Sequence, residues 1–275
     1  MELRTIRKKI DGDIFRLAFF GDTHVGTEHC EEDRLQRDVK KISEDPIMSC
    51  IIMGDVADFV NISDKRFEPE VLKDRYRIKD LSKLAQVQVA DFLSMTQPLR
   101  GKTDGFLKGN HEDTILFKYH FDVWEGIKFG LDLKEENYWG YAAVCRYIVE
   151  SDKNPPLMFE IYVEHGSGGS RTPERALAII KAKSINFSAD IYAMGHHHKK
   201  IWDTEPGPMV VDWNKSGSGK IREKRKGSIS NGSYLKTYVE GICGYGEKRS
   251  YPPVELGSVM VEWNLETQRF DIHNL

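Results

Sequence analysis

Apolar residues along this chain come in short dense runs that stop at glycine. The run Ile14–Phe20 (IFRLAFF) leads into Gly21-Asp22, and residues 48–53 (MSCIIM) repeat the pattern before Gly54-Asp55. Apolar runs of this length, closed by a turn residue, predict buried strands. Between them residues 31–44 are charged, with Leu35, Val39 and Ile42 at helical spacing. Residues 74–95 carry Leu81, Leu84, Val87 and Phe92 on one face and predict a long amphipathic helix. Phe106-Leu107 closes a short strand before Gly109. Residues 141–149 and 157–163 read as neighbouring strands around the turn Asn154-Pro155-Pro156. A helix is predicted over 173–186, with Pro173 in its first turn and Thr172 as cap. Strand 191–194 leads to Gly195, and a last strand is predicted at 258–263.

Strands alternating with helices imply an α/β fold, whose sites lie at strand ends. Residues 215–227 (KSGSGKIREKRKG) break the pattern and read as an exposed basic loop. Residues 228–275 then complete a single domain spanning 1–275, with Tyr234, Tyr238, Tyr245 and Tyr251 ahead of the last strand.

Composition narrows the class only a little. The chain has 275 residues, 40% hydrophobic and 30% charged, with a net charge of −3. Those values exclude a disordered or collagen-like protein and a globally basic nucleic-acid binder. No apolar run approaches a membrane span, and no apolar stretch follows the basic N-terminus as a signal peptide requires. Cys30, Cys50, Cys145 and Cys243 form no metal-binding spacing. Scattered thiols, each expected to be buried and inert, fit a reducing compartment, the cytoplasm.

The chemistry sits where the strands end. In order come Asp22-Thr23-His24, Gly54-Asp55-Val56-Ala57-Asp58, Gly109-Asn110-His111-Glu112, His165-Gly166 and Gly195-His196-His197-His198. The series DxH, GDxxD, GNH[ED], H and GHxH resembles the signature of the calcineurin-like metallophosphoesterases, over residues 22–198. The resemblance implies a two-sheet α-β-β-α sandwich and two divalent metal ions. One ion would be held by Asp22, His24, Asp55 and His198, the other by Asp55, Asn110, His165 and His196, with Asp55 bridging. A hydroxide between the ions would attack phosphorus, His111 would assist the leaving oxygen, and the Asp58 carboxylate would orient His111.

The spacings suit that reading. In extended backbone residues i and i+2 point the same way, so Asp22 pairs with His24 and His196 with His198, leaving His197 turned away. Oxygen and imidazole donors without thiolate favour Mn, Fe, Co, Ni or Zn, with Mn preferred here. Two divalent ions against two aspartates and one hydroxide leave a charge of +1 for a phosphate. Glu112 caps or orients, while His29, His120, His197 and His273 are structural.

Two further patterns imitate phosphate-binding loops. Gly217-Ser218-Gly219-Lys220 lacks the outer glycine and following hydroxyl that such a loop needs. The glycines of residues 165–170 read as a turn into the next helix rather than a phosphate cradle.

Phe59-Val60 stand where the protein phosphatases of this superfamily carry a phosphate-gripping Arg-Gly, and Asp22-Thr23-His24-Val25-Gly26 resembles the start of its nucleases. A phosphodiesterase is therefore expected, acting on nucleic acid or on a smaller phosphoester or nucleotide. A non-catalytic protein-binding scaffold is the remaining alternative. Arg171, Lys220, Arg222, Lys224 and Arg225 are the candidate substrate contacts, the last four as a flexible basic loop tracking a phosphate backbone. Protein partners and oligomeric state are not legible.

Overall fold

A computed structural model describes residues 1–64, 66–214 and 217–275, with Arg222 described as backbone only. Lys215, and with it the start of the basic segment, lies outside the described residues, as does the Arg222 side chain. In chain order the elements are β1 (Glu2–Ile10), β2 (Ile14–Phe20), α1 (Glu32–Glu44), β3 (Met48–Ile52), α2 (Leu84–Thr96) and β4 (Thr103–Phe106). Then come α3 (Asn110–Tyr119), α4 (Val123–Leu131), β5 (Ala142–Ser151), β6 (Leu157–Glu164), α5 (Pro173–Lys183) and β7 (Ile191–Met194). The chain ends with β8 (Ile201–Trp213), β9 (Gly219–Ser230), α6 (Tyr245–Lys248), β10 (Val259–Asn264) and β11 (Arg269–Asn274).

The strands form two sheets. One runs β11-β10-β2-β3-β4, with β2, β3 and β4 parallel; the other runs β1-β5-β6-β7-β9-β8, with β6, β7 and β9 parallel. Alternate positions explain their packing. Phe15, Leu17 and Phe19 of β2 meet Tyr147, Phe159 and Ile161 of the other sheet in a shared core, and the Phe159 ring stacks on Trp263 at 3.8 Å. The opposite side, with Ala18, Phe20, Cys50 and Ile52, packs against α1, α2 and α4. Tyr162 and Tyr192 pack against Ile180 of α5 on the outer face of the second sheet. The result is an α-β-β-α sandwich.

Several local expectations are corrected. The helix expected over 74–95 is α only from Leu84; a 3-10 turn spans Ile78–Lys83, where polar residues leave no apolar face to bury. The fourth strand is Thr103–Phe106, earlier than expected, because pairing with β3 places it. β1, rich in charge, is an edge strand: Lys8 reaches the buried Asp104, and charged edges resist further pairing. The largest correction concerns residues 215–227. From Gly219 they are no loop but β9, paired antiparallel with β8 from Trp213↔Gly219 to Ile201↔Ser230. Cys30, Cys50 and Cys145 are buried as expected, but Cys243 is exposed. Among the described residues no helix is long and apolar enough to cross a membrane.

Candidate metal centre

Both sheets deliver residues to one end of the sandwich. Asp22 and His24 follow β2, Asp55 follows β3, Asn110 and His111 open α3 after β4, His165 follows β6, and His196 and His198 follow β7. Backbone bonds weld these loops together. Asp22 N–H donates to the Gly54 carbonyl at 2.9 Å, His24 N–H to that of Asp55 at 3.1 Å, and Tyr234 N–H to that of Asp22 at 3.1 Å.

The ligating atoms converge. Nε2 of His198 stands 3.4 Å from Asp22 Oδ1 and 3.1 Å from His24 Nε2, and His24 Nε2 is 4.0 Å from Asp55 Oδ2. On the other side His165 Nε2 is 3.3 Å from Asp55 Oδ2 and 3.2 Å from Asn110 Oδ1. Asp22, His24 and His198 form one group of ligand atoms within 4.8 Å of one another, and Asp55, His165 and His196 form another. Donors around one ion at bonds of about 2.0–2.2 Å sit roughly 3–4 Å apart, so the set fits divalent metal. Asp55 Oδ2 faces both groups, while Oδ1 accepts the His111 N–H at 3.0 Å.

The two-residue spacing works by a different geometry from the one expected. Asp22, His24, Asp55, His196 and His198 all have left-handed backbone, with φ between 45° and 66°. Non-glycine residues pay about 1–2 kcal/mol each for that conformation, so the local chain is held by its surroundings. Glycine is needed here mainly for room. A Cβ on Gly109 would lie 2.1 Å from Asp55 Oδ1, and one on Gly195 would lie 2.6 Å from Asp22 Oδ2.

Supporting bonds orient the rings. His165 Nδ1 donates to the Met53 carbonyl at 2.7 Å and presents Nε2 inward. His196 Nε2 donates to the Gly168 carbonyl at 2.7 Å, which leaves Nδ1 as its ligating atom. The glycine loop therefore offers a carbonyl to the site, with φ of 102° at Gly166, and Gly168, Gly169 and Ser170 line the adjoining cavity. The Glu112 carboxylate accepts the N–H groups of Asp55 at 3.0 Å, Val56 at 2.7 Å and Gly109 at 2.8 Å. It is an orienting group.

The orientation of His111 corrects the role expected of Asp58. His111 Nδ1 bonds the backbone carbonyl of Asp58, whereas the Asp58 carboxylate lies 3.8 Å from His24 Nδ1. The turn after Asp55 points the carbonyl at His111 and the side chain at the neighbouring ring, which stands edge-on to His111 at 4.7 Å.

Electrostatics follow from burial and charge. Burial alone would raise the Asp55 carboxyl, but His165, His111 and His24 hold it well below the ordinary value. Burial opposes charge on His165, yet the Asp55 carboxylate pushes its pKa up to about 10. Positive charge is thus favoured between them. For His111, burial again opposes, but Asp55 and Asp58 raise it. Burial next to Asp55 lifts Glu112 to about 7.

The centre opens into a cavity of about 320 Å³ that is also lined by Leu235, Tyr245 and Tyr251 of the C-terminal segment. Other expected contacts lie elsewhere. β9 meets β7 at Gly227↔Ile191 and Ser230↔Met194, so residues before Gly227 run past the end of β7 remote from the metals. At about 3.3 Å per residue, Lys220 is roughly 30 Å from Ser230. Lys224 pairs with Asp190 at 2.9 Å, and Arg225 donates to the Phe270 carbonyl at 3.0 Å. Arg171 stands 5.9 Å over the ring of Tyr251, itself a cavity-lining residue, but does not line the cavity.

His120 caps α3, and His273 lies on β11. By contrast His29 and His197, expected to be merely structural, are cavity-wall residues, and the sequence pattern missed Lys199 beside them. Burial pulls His197 down to about 4.

No family model matches the chain, and no curated protein matches it. Solved structures with related shape include Vps29 of Chaetomium thermophilum, 10% identical over 95% of this chain and 97% of that one, TM-score 0.36. The nuclease MPE of Pseudomonas putida is 12% identical over 94% and 87%, TM-score 0.33. GAP50, an anchor in the inner membrane complex of Plasmodium, is 12% identical over 96% and 89%, TM-score 0.44. Likenesses this distant carry no assignment of activity.

Proposed function

We propose that this chain is a metal-dependent phosphoesterase of the calcineurin-like kind and that it hydrolyses a phosphodiester. The observation that carries the reading is the Asp55 carboxylate standing between two groups of ligating side chains, with His111 adjacent. Asp22, His24, Asp55 and His198 would hold one divalent ion; Asp55, Asn110, His165 and His196 would hold a second. When bound, such a pair supplies a hydroxide nucleophile at neutral pH and a positive field for the phosphate.

The chain's own residues do the rest. His111 is anchored through Nδ1, so its transferable proton sits on Nε2. The nearby carboxylates raise its pKa against burial, which favours the acid form needed to protonate a leaving oxygen. Glu112 holds the backbone of Asp55 and Val56, and the carbonyls of Met53 and Gly168 hold His165 and His196.

Within this reading a small phosphoester is favoured over a tracked polymer. The cavity is about 320 Å³, and the basic strand leads away from it. Hydrolysis of bis(p-nitrophenyl) phosphate with Mn tests the activity, and failure there, with metal bound, would favour the scaffold alternative. A panel of DNA, RNA, cyclic nucleotides and chromogenic mono- and diesters ranks the substrates; preferential cleavage of polymers would reverse that preference.

A further inference from the structure

Three cationic side chains line the cavity beside the metal centre: Arg66, Lys236 and Lys199. Two are already paired. Arg66 is bidentate to Asp64 at 3.1 Å, and Lys236 meets Glu31 at 2.9 Å. Lys199 is only 6% exposed and has no hydrogen-bond or ion-pair partner among the described residues. Among those residues no carboxylate oxygen lies within 4.0 Å of its Nζ, so it does not neutralise Asp22, Asp55 or Asp58. The contrast with the next residue is direct: Lys200 donates to the Leu256 carbonyl at 2.9 Å and pairs with Glu255 at 2.6 Å.

Burial strips part of the water from this ammonium and so disfavours its charge, and no ion pair among the described residues offsets that loss. Such a group is compensated when an anion enters. In the reading above the reacting phosphate would be met by the ions that Asp22, Asp55 and the histidines hold and by His111, and the cavity of about 320 Å³ is several times larger than one phosphate. Lys199, Tyr245 and Tyr251 line the same cavity.

We propose that Lys199 recognises a second anionic oxygen group on the substrate, separate from the reacting phosphorus, and so makes the enzyme selective for doubly anionic phosphoesters. The proposal rests on the phosphoesterase reading above. It specifies the ester arm: a phosphate or carboxylate within one lysine side chain's reach of the residue after His198.

The test uses p-nitrophenyl ethyl phosphate and two analogues whose ethyl arm ends in a carboxylate or a phosphate. The wild-type protein with Mn should turn over one or both charged analogues about 10–100-fold better than the neutral one in kcat/KM, the range a charge-assisted hydrogen bond supplies. Lys199→Met, of similar length and uncharged, should bring that ratio close to one, and Lys199→Arg should restore part of it. The better of the two arms identifies the group as phosphate or carboxylate.

A second readout is independent of turnover. Calorimetry should find that the bisphosphate of ethanediol binds the wild-type protein at least tenfold more tightly than ethyl phosphate, with the difference lost in Lys199→Met. Because the substitution removes an unpaired buried charge, Lys199→Met should unfold at the same or a higher urea concentration than wild type. A structural lysine would instead lose stability and leave the substrate ratio intact, which overturns the proposal. If the wild type hydrolyses the neutral ester but shows no preference among the three, the Lys199 assignment fails alone. If it hydrolyses none, the phosphoesterase reading fails, and the calorimetric comparison still decides whether Lys199 binds a second anion.

Discussion

Replacing Gly195 by alanine would test the metal-centre geometry most directly. The glycine does not have a positive φ, so alanine can adopt its backbone; the obstacle is space. The new Cβ would lie 2.6 Å from Asp22 Oδ2, about 0.8 Å short of an ordinary contact. Asp22 is fully buried, sits in left-handed backbone, and accepts the His196 N–H through both oxygens at 3.0 and 3.1 Å. It cannot retreat without carrying His196 with it. Ligand positions tolerate roughly 0.2 Å, so the displacement is several times what an ion accepts. We expect metal affinity to fall about 10–100-fold, as it does when outer supports of a ligand are lost, and diester hydrolysis to fall with it at limiting Mn. Overpacking should cost about 1–3 kcal/mol in urea unfolding with EDTA present. Gly169→Ala is the control. It lines the cavity beside the metal centre, yet nothing stands within 4 Å of its would-be Cβ, and its stability should match wild type. Calorimetric Mn titration of both variants reads the difference. Wild-type affinity in Gly195→Ala, or equal loss in both, would refute the assignment of Asp22 as a ligand held against Gly195.

Other expectations follow from the same geometry. His111→Ala should retain wild-type metal content by elemental analysis while turnover falls about 10²–10⁴-fold, whereas Asp55→Asn should lose metal as well. The reverse pattern would exchange their roles. Tyr234→Phe removes a hydroxyl that donates to Asp38 at 2.8 Å and lies 3.1 Å from the Ser258 hydroxyl; the buried carboxylate left short should cost about 1–3 kcal/mol in urea unfolding. Lys8→Met strips the buried Asp104 of its cation, leaving it the neutral hydroxyls of Tyr147, at 3.1 Å, and Ser49, and should cost about 3–5 kcal/mol at pH 7.5. Burial already raises Asp104 despite Lys8, and a raised carboxyl penalises the fold above its folded pKa and not below its unfolded one. The deficit of Lys8→Met should therefore shrink as pH falls from 7.5 to 5; a deficit that grows would contradict it.

Much of the candidate site was legible because its residues recur at strand ends in a fixed order. Asp22, Asp55, Asn110, His165 and His198 are separated by up to 176 positions, yet each follows an apolar run with a glycine close by. Period and punctuation are local signals, and the buried strands β2, β3, β6 and β7 carried them strongly. β1 and β9 carried the opposite signal, being charged, and became strands only because neighbours supplied their hydrogen bonds. Ladder pairing is a long-range fact. It turned a supposed flexible basic loop into a strand pointing away from the metals, and so moved Lys220, Lys224 and Arg225 out of the chemistry.

Side-chain roles divided in the same way. The kinds of atom available to a metal follow from residue identity, which the sequence states outright. Which atom faces which partner depends on backbone conformation. The left-handed turn at Asp55 sets the geometry in which the Asp58 carbonyl meets His111 while its carboxylate stands by His24. Lys199 is the sharpest case. In sequence it is one lysine beside another; in the fold one is paired and the other, largely buried in the wall of the cavity, has no partner among the described residues. Burial is a property of what the rest of the chain packs around a residue, so only the tertiary structure could separate the two.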